Sequence, residues 1–298
     1  MSEPTLLVAT GDTHAGATTA ALRKPIEIDQ GATVHPGPIN LDMAAKIERA
    51  VGWALGEARR LGSAGADVQG EVAVEILHNG DGTEGRHHNT HQVFVAEQTG
   101  YQIDVLVDLL HIYTDALRPR RIYFTQGTEA HVGKGGELEV AAAKKLLEEG
   151  LPVQKAPVTG QLVPQYWDVE IGGHQIWAAH HGKTGRLPHT KGSQASLHAS
   201  AVFLQESMDN FWRMKAGEAP HPIPRVVIGS HHHQQSDSGP NTPTRAIQLP
   251  CWTYRNSFAH KVAAFSREDI GLAVIYCDPD RRDPDVSWWV HHPRRDAA

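Results

Sequence analysis

The sequence predicts an α/β fold, because short apolar strands followed by polar loops and then by amphipathic helices recur along its 298 residues. Hydrophobic residues make up 40% of the chain, which is enough to bury a substantial core. The third observation is the count of 20 histidines, against 6 each for Tyr and Phe. Histidine commonly binds borderline transition metals, so the positions of these residues should indicate the function.

The first half of the chain contains three units in which a strand, a polar loop and a helix follow one another. The run 5–10 (TLLVAT) is apolar and β-branched, and it ends at Gly11, which predicts a buried strand. The runs 71–78 (EVAVEILH) and 121–125 (RIYFT) predict two more strands. Helical periodicity predicts helices over 40–61, over 91–117 either unbroken or interrupted near Gly100, and over 137–149.

The second half continues the pattern with a hairpin, a helix and further strands. Residues 166–181 predict a β-hairpin with Gly172 and Gly173 at its turn. A helix is predicted over 193–215 and strands over 226–228, 245–249 and 272–277. We expect a single domain over 1–298, with a lid or insertion at 182–222 and a short C-terminal tail over 279–298. Within that tail, Trp288 and Trp289 are expected to cover the core rather than to stack on bases.

Composition excludes several classes of protein. The net charge of −6 and the pI near 6.4 argue against a surface coated in positive charge for sequence-blind nucleic-acid binding. Cys251 and Cys277 form no short-spaced pair, so neither a disulfide framework nor a cysteine zinc site is indicated. The chain shows no signal-peptide pattern and no apolar run of membrane-spanning length. We therefore expect a cytoplasmic protein without membrane contact.

Metal-ligand residue types follow five of the predicted strands. In chain order these segments read D-x-H, GD-x-x-E, GTEAH, HHG and H-x-H. Each segment alone has an ordinary explanation as a helix cap, a turn or a solvated run. Ligand sites of α/β folds gather at the carboxyl ends of strands, so five such loops together favour one shared metal site.

The order of these segments resembles the motifs of the calcineurin-like metallophosphoesterases: D-x-H, GD-x-x-D/E, GNH-D/E, H-G and GH-x-H. The resemblance covers roughly residues 8–235 and implies a sandwich of two mixed β-sheets flanked by helices. It implies a dinuclear centre in which Asp81 bridges two divalent metal ions. Their mixed carboxylate and imidazole ligands suit Mn, Fe, Zn or Ni. By the same resemblance, the first ion would take Asp12, His14, Asp81 and His233, and the second Asp81, His181 and His231.

The third motif departs from the family pattern. It reads Gly127, Thr128, Glu129, Ala130 and His131, so the usual asparagine ligand of the second ion is missing. In one interpretation Glu129 replaces the asparagine as an anionic ligand, and His131 keeps the family's acid role two positions late. In a second, Glu129 is structural and water completes the coordination. In a third, the site is degenerate, binding metal but turning over poorly. The neighbouring His180 and His232 are expected to be structural or to orient ligands.

Two loops near these motifs offer groups for substrate binding. The guanidinium of Arg86 can bind phosphate oxygens as a planar fork, and His87 and His88 follow it. A basic loop after His181 contains Lys183, Arg186, His189 and Lys191. We predict that Arg86, His87, His88 and Lys183 contact the substrate, while a solvated loop or lid is the alternative for each segment.

The resemblance implies hydrolysis of a phosphodiester or phosphomonoester, small or nucleotide-like, by a metal-bound hydroxide. Asp81 would act through the bridged ions, and His131 would protonate the leaving oxygen. The alternative substrate is DNA or RNA, because the basic loop at 183–191 suits a nuclease. A non-catalytic metal-binding interaction module is the alternative of another class. An amidohydrolase is disfavoured, since its H-x-H motif belongs to the first strand and here it comes last.

Overall fold

The computed structural model describes residues 2–64, 72–85, 99–182, 191–255 and 267–293. The helices of these residues are α1 (Pro38–Ala64), α2 (Thr99–Leu117), α3 (Glu129–Val132), α4 (Glu137–Glu148) and α5 (Lys191–Lys215), with short 3-10 turns at Asp29–Gly31 and Lys134–Gly136. The strands are β1 (Thr5–Thr10), β2 (Ile26–Glu27), β3 (Thr33–Val34), β4 (Ala73–His78), β5 (Arg121–Phe124), β6 (Tyr166–Ile171), β7 (His174–His181), β8 (Val226–Ser230), β9 (Ser236–Asp237), β10 (Arg245–Gln248), β11 (Ile270–Cys277) and β12 (Asp285–His291).

Two five-stranded sheets form the centre of the described structure. The first has the strand order β12-β11-β1-β4-β5, and the second has the order β6-β7-β8-β10-β9. In the first sheet, β1, β4 and β5 are parallel while β11 and β12 are antiparallel to their neighbours. In the second, β7, β8 and β10 are parallel while β6 and β9 are antiparallel. The predicted α/β fold with two mixed sheets flanked by helices is confirmed.

Strand β1 shows why this part of the sequence is apolar on both faces. Leu6 and Val8 face the helices α1 and α2 in one core cluster. Leu7 and Ala9 point the other way, into a second cluster that contains residues of both sheets. Because both faces of β1 are covered, its sequence does not alternate between apolar and polar residues, and all six of its residues are buried.

The second sheet is covered on its outer face by α5. Ala199 of this helix is buried against Val227 of β8 and Ala246 of β10. The predicted lid or insertion at 182–222 therefore contains a helix that packs on the sheet, while residues 183–190 lie outside the described residues. The hairpin turn at Gly172 and Gly173 is confirmed, and both residues have positive φ.

The segment 279–298, expected to be a tail, contains the edge strand β12. This strand pairs with β11 from Ile270↔His291 to Tyr276↔Asp285, so its backbone groups complete the first sheet. Trp289 packs on the helix-side core, where its ring stacks on Trp252 with centroids 6.1 Å apart. No described helix is long and apolar enough to cross a membrane.

Candidate metal centre

The predicted metal ligands come together at the carboxyl ends of strands from both sheets. Asp12 and His14 follow β1, and Asp81 follows β4. The end of β7 carries His180 and His181, and the segment after β8 carries His231 and His233. Among the described residues, the first cluster of potential ligand atoms is Asp12, His14 and His233, and the second cluster is His180, His181 and His231.

Backbone conformation marks the same residues independently of their side chains. Six non-glycine residues of the described structure have positive φ, and five of them are predicted ligands. They are Asp12 (φ 48°), His14 (48°), Asp81 (49°), His231 (75°) and His233 (55°). A left-handed conformation costs an L-residue about 1–2 kcal/mol. Such strain concentrates at functional sites, so its coincidence with the motif residues supports a built site.

Asp12 and His14 of the first cluster are buried and His233 is partly buried, and the three residues have the donor chemistry of a cation site. His14 Nε2 lies 3.0 Å from His233 Nε2, and Asp12 Oδ1 lies 3.4 Å from His233 Nε2 and 4.0 Å from His14 Nε2. Two facing imidazole nitrogens share at most one proton. Asp12 Oδ1 is buried and has no hydrogen-bond donor. A divalent cation between the three atoms would satisfy all of them.

Glu84 holds the ring of His14 in place. His14 Nδ1 donates to Glu84 Oε2 at 2.8 Å, which directs Nε2 toward the cluster. Burial lowers the pKa of His14, but the hydrogen bond and charge of Glu84 raise it, with a net value of about 8. Glu84 belongs to the GD-x-x-E motif, and the structure gives it this orienting position.

Asp81 lies between the two clusters. It shares one group of potential ligands with His14 and His131, and another with Asp12 and His180. Burial raises the pKa of Asp81, but the positive charge and hydrogen bond of His180 hold it well below its usual range. An ionised carboxylate between two sets of ligands has the position that a bridging ligand requires.

His180 was expected to be structural or to orient ligands, but its ring lies within the candidate metal centre. Its Nδ1 donates to the carbonyl of Asn79 at 2.8 Å, and its Nε2 lies 3.0 Å from Asp81 Oδ2. The expected ligand His181 is exposed, although its ring belongs to the second cluster. Residues of β7 alternate between buried and partly exposed, so His180 shares the inner face with Ile176 and Ala178. The alternation places His180 on the buried face, and the predicted ligand His181 remains in the same ligand group as His180 and His231.

Glu129, expected as a replacement for the asparagine, does not reach the centre. Its side chain is exposed at the first position of α3, and it belongs to none of the ligand groups found among the described residues. The preceding residue, Thr128, faces the site instead. Its N–H donates to Asp81 Oδ1 at 2.6 Å, and its hydroxyl oxygen lies 3.2 Å from Asp81 Oδ2. Thr128 is not among the residues predicted from the sequence, although it stands directly after Gly127, where the resembled family has asparagine.

Glu139 of α4 fastens the two loops that carry Asp81 and Thr128. Its carboxylate accepts the N–H of Gly82 at 3.1 Å and the N–H of Gly127 at 2.9 Å. The side chain is fully buried, and burial raises its pKa to about 8. A Cβ at Gly127 would collide with the backbone N and Oδ1 of Asp81, so only glycine permits this approach.

His131 lies beside the first cluster, where the sequence predicted a catalytic acid. Its Nδ1 donates to the carbonyl of Glu84 at 3.0 Å. Its ring meets that of His14 edge-on, with centroids 4.6 Å apart. The predicted substrate contacts Arg86, His87, His88 and Lys183 lie outside the described residues.

Comparisons with known proteins found remote structural similarity only. No protein-family model and no curated protein matches the chain. A dimetal phosphatase from Danio rerio aligns with a TM-score of 0.42 at 11% identity, over 94% of this chain and 98% of that one. A 5'-nucleotidase from Candida albicans aligns with a TM-score of 0.40 at 10% identity, over 97% and 51%. Vacuolar Protein Sorting 29 from Cryptosporidium parvum aligns with a TM-score of 0.35 at 12% identity, over 98% and 100%. Similarity at this level shows neither the family nor the activity of this chain.

Proposed function

We propose that this protein is a metallophosphoesterase that hydrolyses a small or nucleotide-like phosphate ester with two divalent transition-metal ions. The observation that carries the proposal is the pair of ligand clusters with the buried Asp81 between them. The left-handed backbone of the same residues supports it, because that conformation is retained only where the surrounding structure enforces it.

The residues present fit a pair of such ions. Asp12 Oδ1 is a buried oxygen without a donor, and it faces two imidazole nitrogens. On the other side, Asp81 Oδ2 faces His180 and lies 4.0 Å from His231 Nδ1. Mixed oxygen and nitrogen donors favour Mn, Fe, Zn or Ni over Mg or Ca.

Each residue of the centre has a task in the proposed reaction. When bound, the two ions supply Lewis-acid stabilisation of the phosphate oxygens and acidify a water molecule. Asp12, His14 and His233 would hold the first ion, and His180, His181 and His231 would offer the nitrogens for the second, with Asp81 shared between them. Glu84 fixes the ring of His14, so the first cluster does not have to reorganise when metal and substrate bind.

His131 would protonate the leaving oxygen. Because its Nδ1–H donates to the carbonyl of Glu84, Nε2 is the atom left for proton transfer. Its side chain is 17% exposed, so a substrate above the centre would reach it. A general acid matters most when the leaving group is a poor one.

Metal content and an activity panel test the proposal. Elemental analysis of the purified protein should find about two transition-metal ions per chain. The panel should contain mono-, di- and cyclic phosphate esters and single-stranded DNA, each assayed with added Mn, Ni or Zn. Turnover of small esters supports the proposal. Activity confined to DNA, falling steeply with salt, would favour a nuclease. Bound metal without any turnover would favour a non-catalytic module, and absence of metal would rule out the proposal.

A further inference from the structure

Thr128 is placed among the donor atoms of the second ion. Its hydroxyl oxygen lies 3.2 Å from Asp81 Oδ2, 3.3 Å from His180 Nε2 and 3.2 Å from His231 Nδ1. His180 Nε2 and Asp81 Oδ2 are 3.0 Å apart, and His231 Nδ1 and Asp81 Oδ2 are 4.0 Å apart. Ligand atoms about 2.0–2.2 Å from a tetrahedral ion lie about 3.3–3.6 Å from one another. The five separations run from 3.0 to 4.0 Å and bracket this spacing, so the four atoms lie at distances compatible with one coordination shell.

Hydrogen bonds are the alternative explanation for this arrangement. A hydroxyl donates one hydrogen bond and accepts two, so three bonds at Thr128 require a proton on both imidazole nitrogens. The separations are long for such bonds, which are usually about 2.7–2.8 Å for O–H···O and about 2.9–3.0 Å for N–H···O. A cation among the four atoms accounts for the same three contacts without those protons.

The backbone also turns the hydroxyl toward the centre. Thr128 is the N-cap residue of α3, a position where threonine usually bonds to the N–H groups of the first helical turn. Here its side chain makes no such bond. The N–H of Thr128 is instead tied to Asp81 Oδ1 at 2.6 Å, and the N–H of Gly127 is tied to Glu139. These two bonds fix the residue with its hydroxyl toward the centre rather than toward the helix.

We propose that the Thr128 hydroxyl oxygen is a protein donor to the second ion, beside Asp81 and the histidines of the second cluster. The inference rests on the proposed function and specifies how the centre is completed without the asparagine of the resembled family. Threonine supplies a neutral oxygen, as an asparagine amide does, so the charge of the donor set is unchanged by the replacement. Glu129 would instead add a negative charge, and the structure places its side chain outside the centre.

Variants at position 128 test the proposal through metal binding rather than activity. Thr128→Val keeps the shape of the side chain and removes the hydroxyl, whereas Thr128→Ser and Thr128→Asn each retain an oxygen donor. The matched control is Thr125→Val, because the hydroxyl of Thr125 is buried nearby and has no hydrogen-bond partner. Titration calorimetry with Zn²⁺ and with Mn²⁺ gives the number of ions and the two dissociation constants for each purified protein.

We expect wild type and Thr125→Val to bind about two ions with the same constants. Thr128→Val should bind one of the two ions, the second, about 10–100-fold less well and leave the dissociation constant of the other unchanged. Thr128→Ser and Thr128→Asn should stay within a few-fold of wild type for both ions. Thr128→Ala provides a second hydroxyl-free variant if valine disturbs folding, as judged by circular dichroism.

Three outcomes would overturn the inference in different ways. If wild type binds two ions and the hydroxyl-free variants bind both as tightly as wild type, Thr128 is not a ligand, while the two-metal function stands. If wild type itself binds fewer than two ions, the two-metal function fails and the assignment of Thr128 fails with it. A serine variant as weak as the valine variant would also contradict a role for the hydroxyl.

Discussion

The two halves of the candidate metal centre differ in how they are built. The first cluster consists of Asp12 and His14 from the D-x-H segment and His233 from the H-x-H segment. Asp12 and His14 are buried. The second position is assembled from four segments, which carry Asp81, Thr128, His180 and His231, and the side chain of His231 is 37% exposed, against 24% for His233 of the first cluster. Closed sites hold their metal firmly, whereas catalytic sites keep an open position. On the proposed function, we therefore expect the first ion to be bound more tightly and the second to face the substrate.

The largest loss of bound metal and activity is expected on substitution of Asp81, the residue that the two halves share. Asp81→Asn removes the negative charge between both clusters, so the protein should lose most of its bound metal. Because metal stabilisation is worth several kcal/mol and each 1.36 kcal/mol is tenfold in rate, activity should fall by about 10³-fold or more. Elemental analysis and kcat/KM on the best ester measure the two effects.

The control for this variant is Asp104→Asn. Asp104 is an exposed carboxylate of α2 that pairs with Lys145 at 2.8 Å. Surface pairs of this kind contribute little to stability, so this variant should behave as wild type. If Asp81→Asn retained two ions, the shared position of Asp81 would be refuted.

The next largest effect concerns His131, which belongs to neither metal-holding half. His131→Ala should lower kcat about 10²–10⁴-fold for an ester with a poor leaving group. Activity toward an ester with a good leaving group, and the metal content, should change little. His111→Ala is the control, since His111 lies on α2 and pairs with Glu149 at 2.9 Å. Equal losses on both kinds of ester would exclude His131 as the acid.

Substitution of Glu84 should weaken metal binding in the first half of the centre without affecting the second. Glu84→Gln removes the charge that holds His14 Nδ1, so affinity for the tighter ion should fall about tenfold or more. The weaker ion should be unaffected, which is the opposite of the result expected for Thr128→Val. Glu137→Gln serves as the control, because Glu137 is an exposed glutamate of α4. Loss of the weaker ion instead would reverse our assignment of the two halves.

The smallest predicted effect is a dependence of metal binding on pH. Burial lowers the pKa of His180, but Asp81 raises it more, to about 10, and that of His14 is about 8. At about pH 7 both rings are therefore in the cationic imidazolium form in the metal-free protein, whereas a metal-bound imidazole must be neutral. Affinity should therefore rise with pH, by up to about tenfold per pH unit for each proton released.

The same raised pKa values affect the stability of the metal-free protein with a defined sign. The stabilisation they provide is fully present below the unfolded pKa of 6.5 and is lost as pH rises through about 8 for His14 and about 10 for His180. The melting temperature of the metal-free protein should fall over that window. Calorimetry in two buffers of different ionisation enthalpy counts the protons released on metal binding. Metal uptake without proton release would contradict this prediction.

Much of the fold and half of the centre could be predicted from the sequence. The strands that end in polar loops are visible as apolar runs such as 5–10, and parallel strands bring their carboxyl ends to one edge. The D-x-H and H-x-H spacings therefore place Asp12, His14 and His233 together. The identity of β12 could not be predicted, because its pairing with β11 depends on a contact distant in sequence.

The second half depends on local geometry that spacing does not specify. At the end of β7 two histidines are adjacent, and the pairing register with β8 shifts between Ala178 and His181. Which histidine points inward therefore depends on the strand face, and the alternation from Ile176 favours His180. In the third motif, the negative charge of Glu129 suggested that this residue is a metal ligand. The hydrogen bond from the N–H of Thr128 to Asp81 instead places the side chain of Thr128 at the centre.

The left-handed backbone of Asp12, His14, Asp81, His231 and His233 has a consequence for heat tolerance. At about 1–2 kcal/mol each, five such residues oppose folding by about 5–10 kcal/mol, comparable to the whole net stability of a typical domain. Metal binding to the native state alone would raise the free energy of unfolding and so offset this conformational cost. Glycine at any of the five would relieve local strain and remove a donor. Each such variant should therefore melt at a higher temperature without metal and gain less stability from added metal.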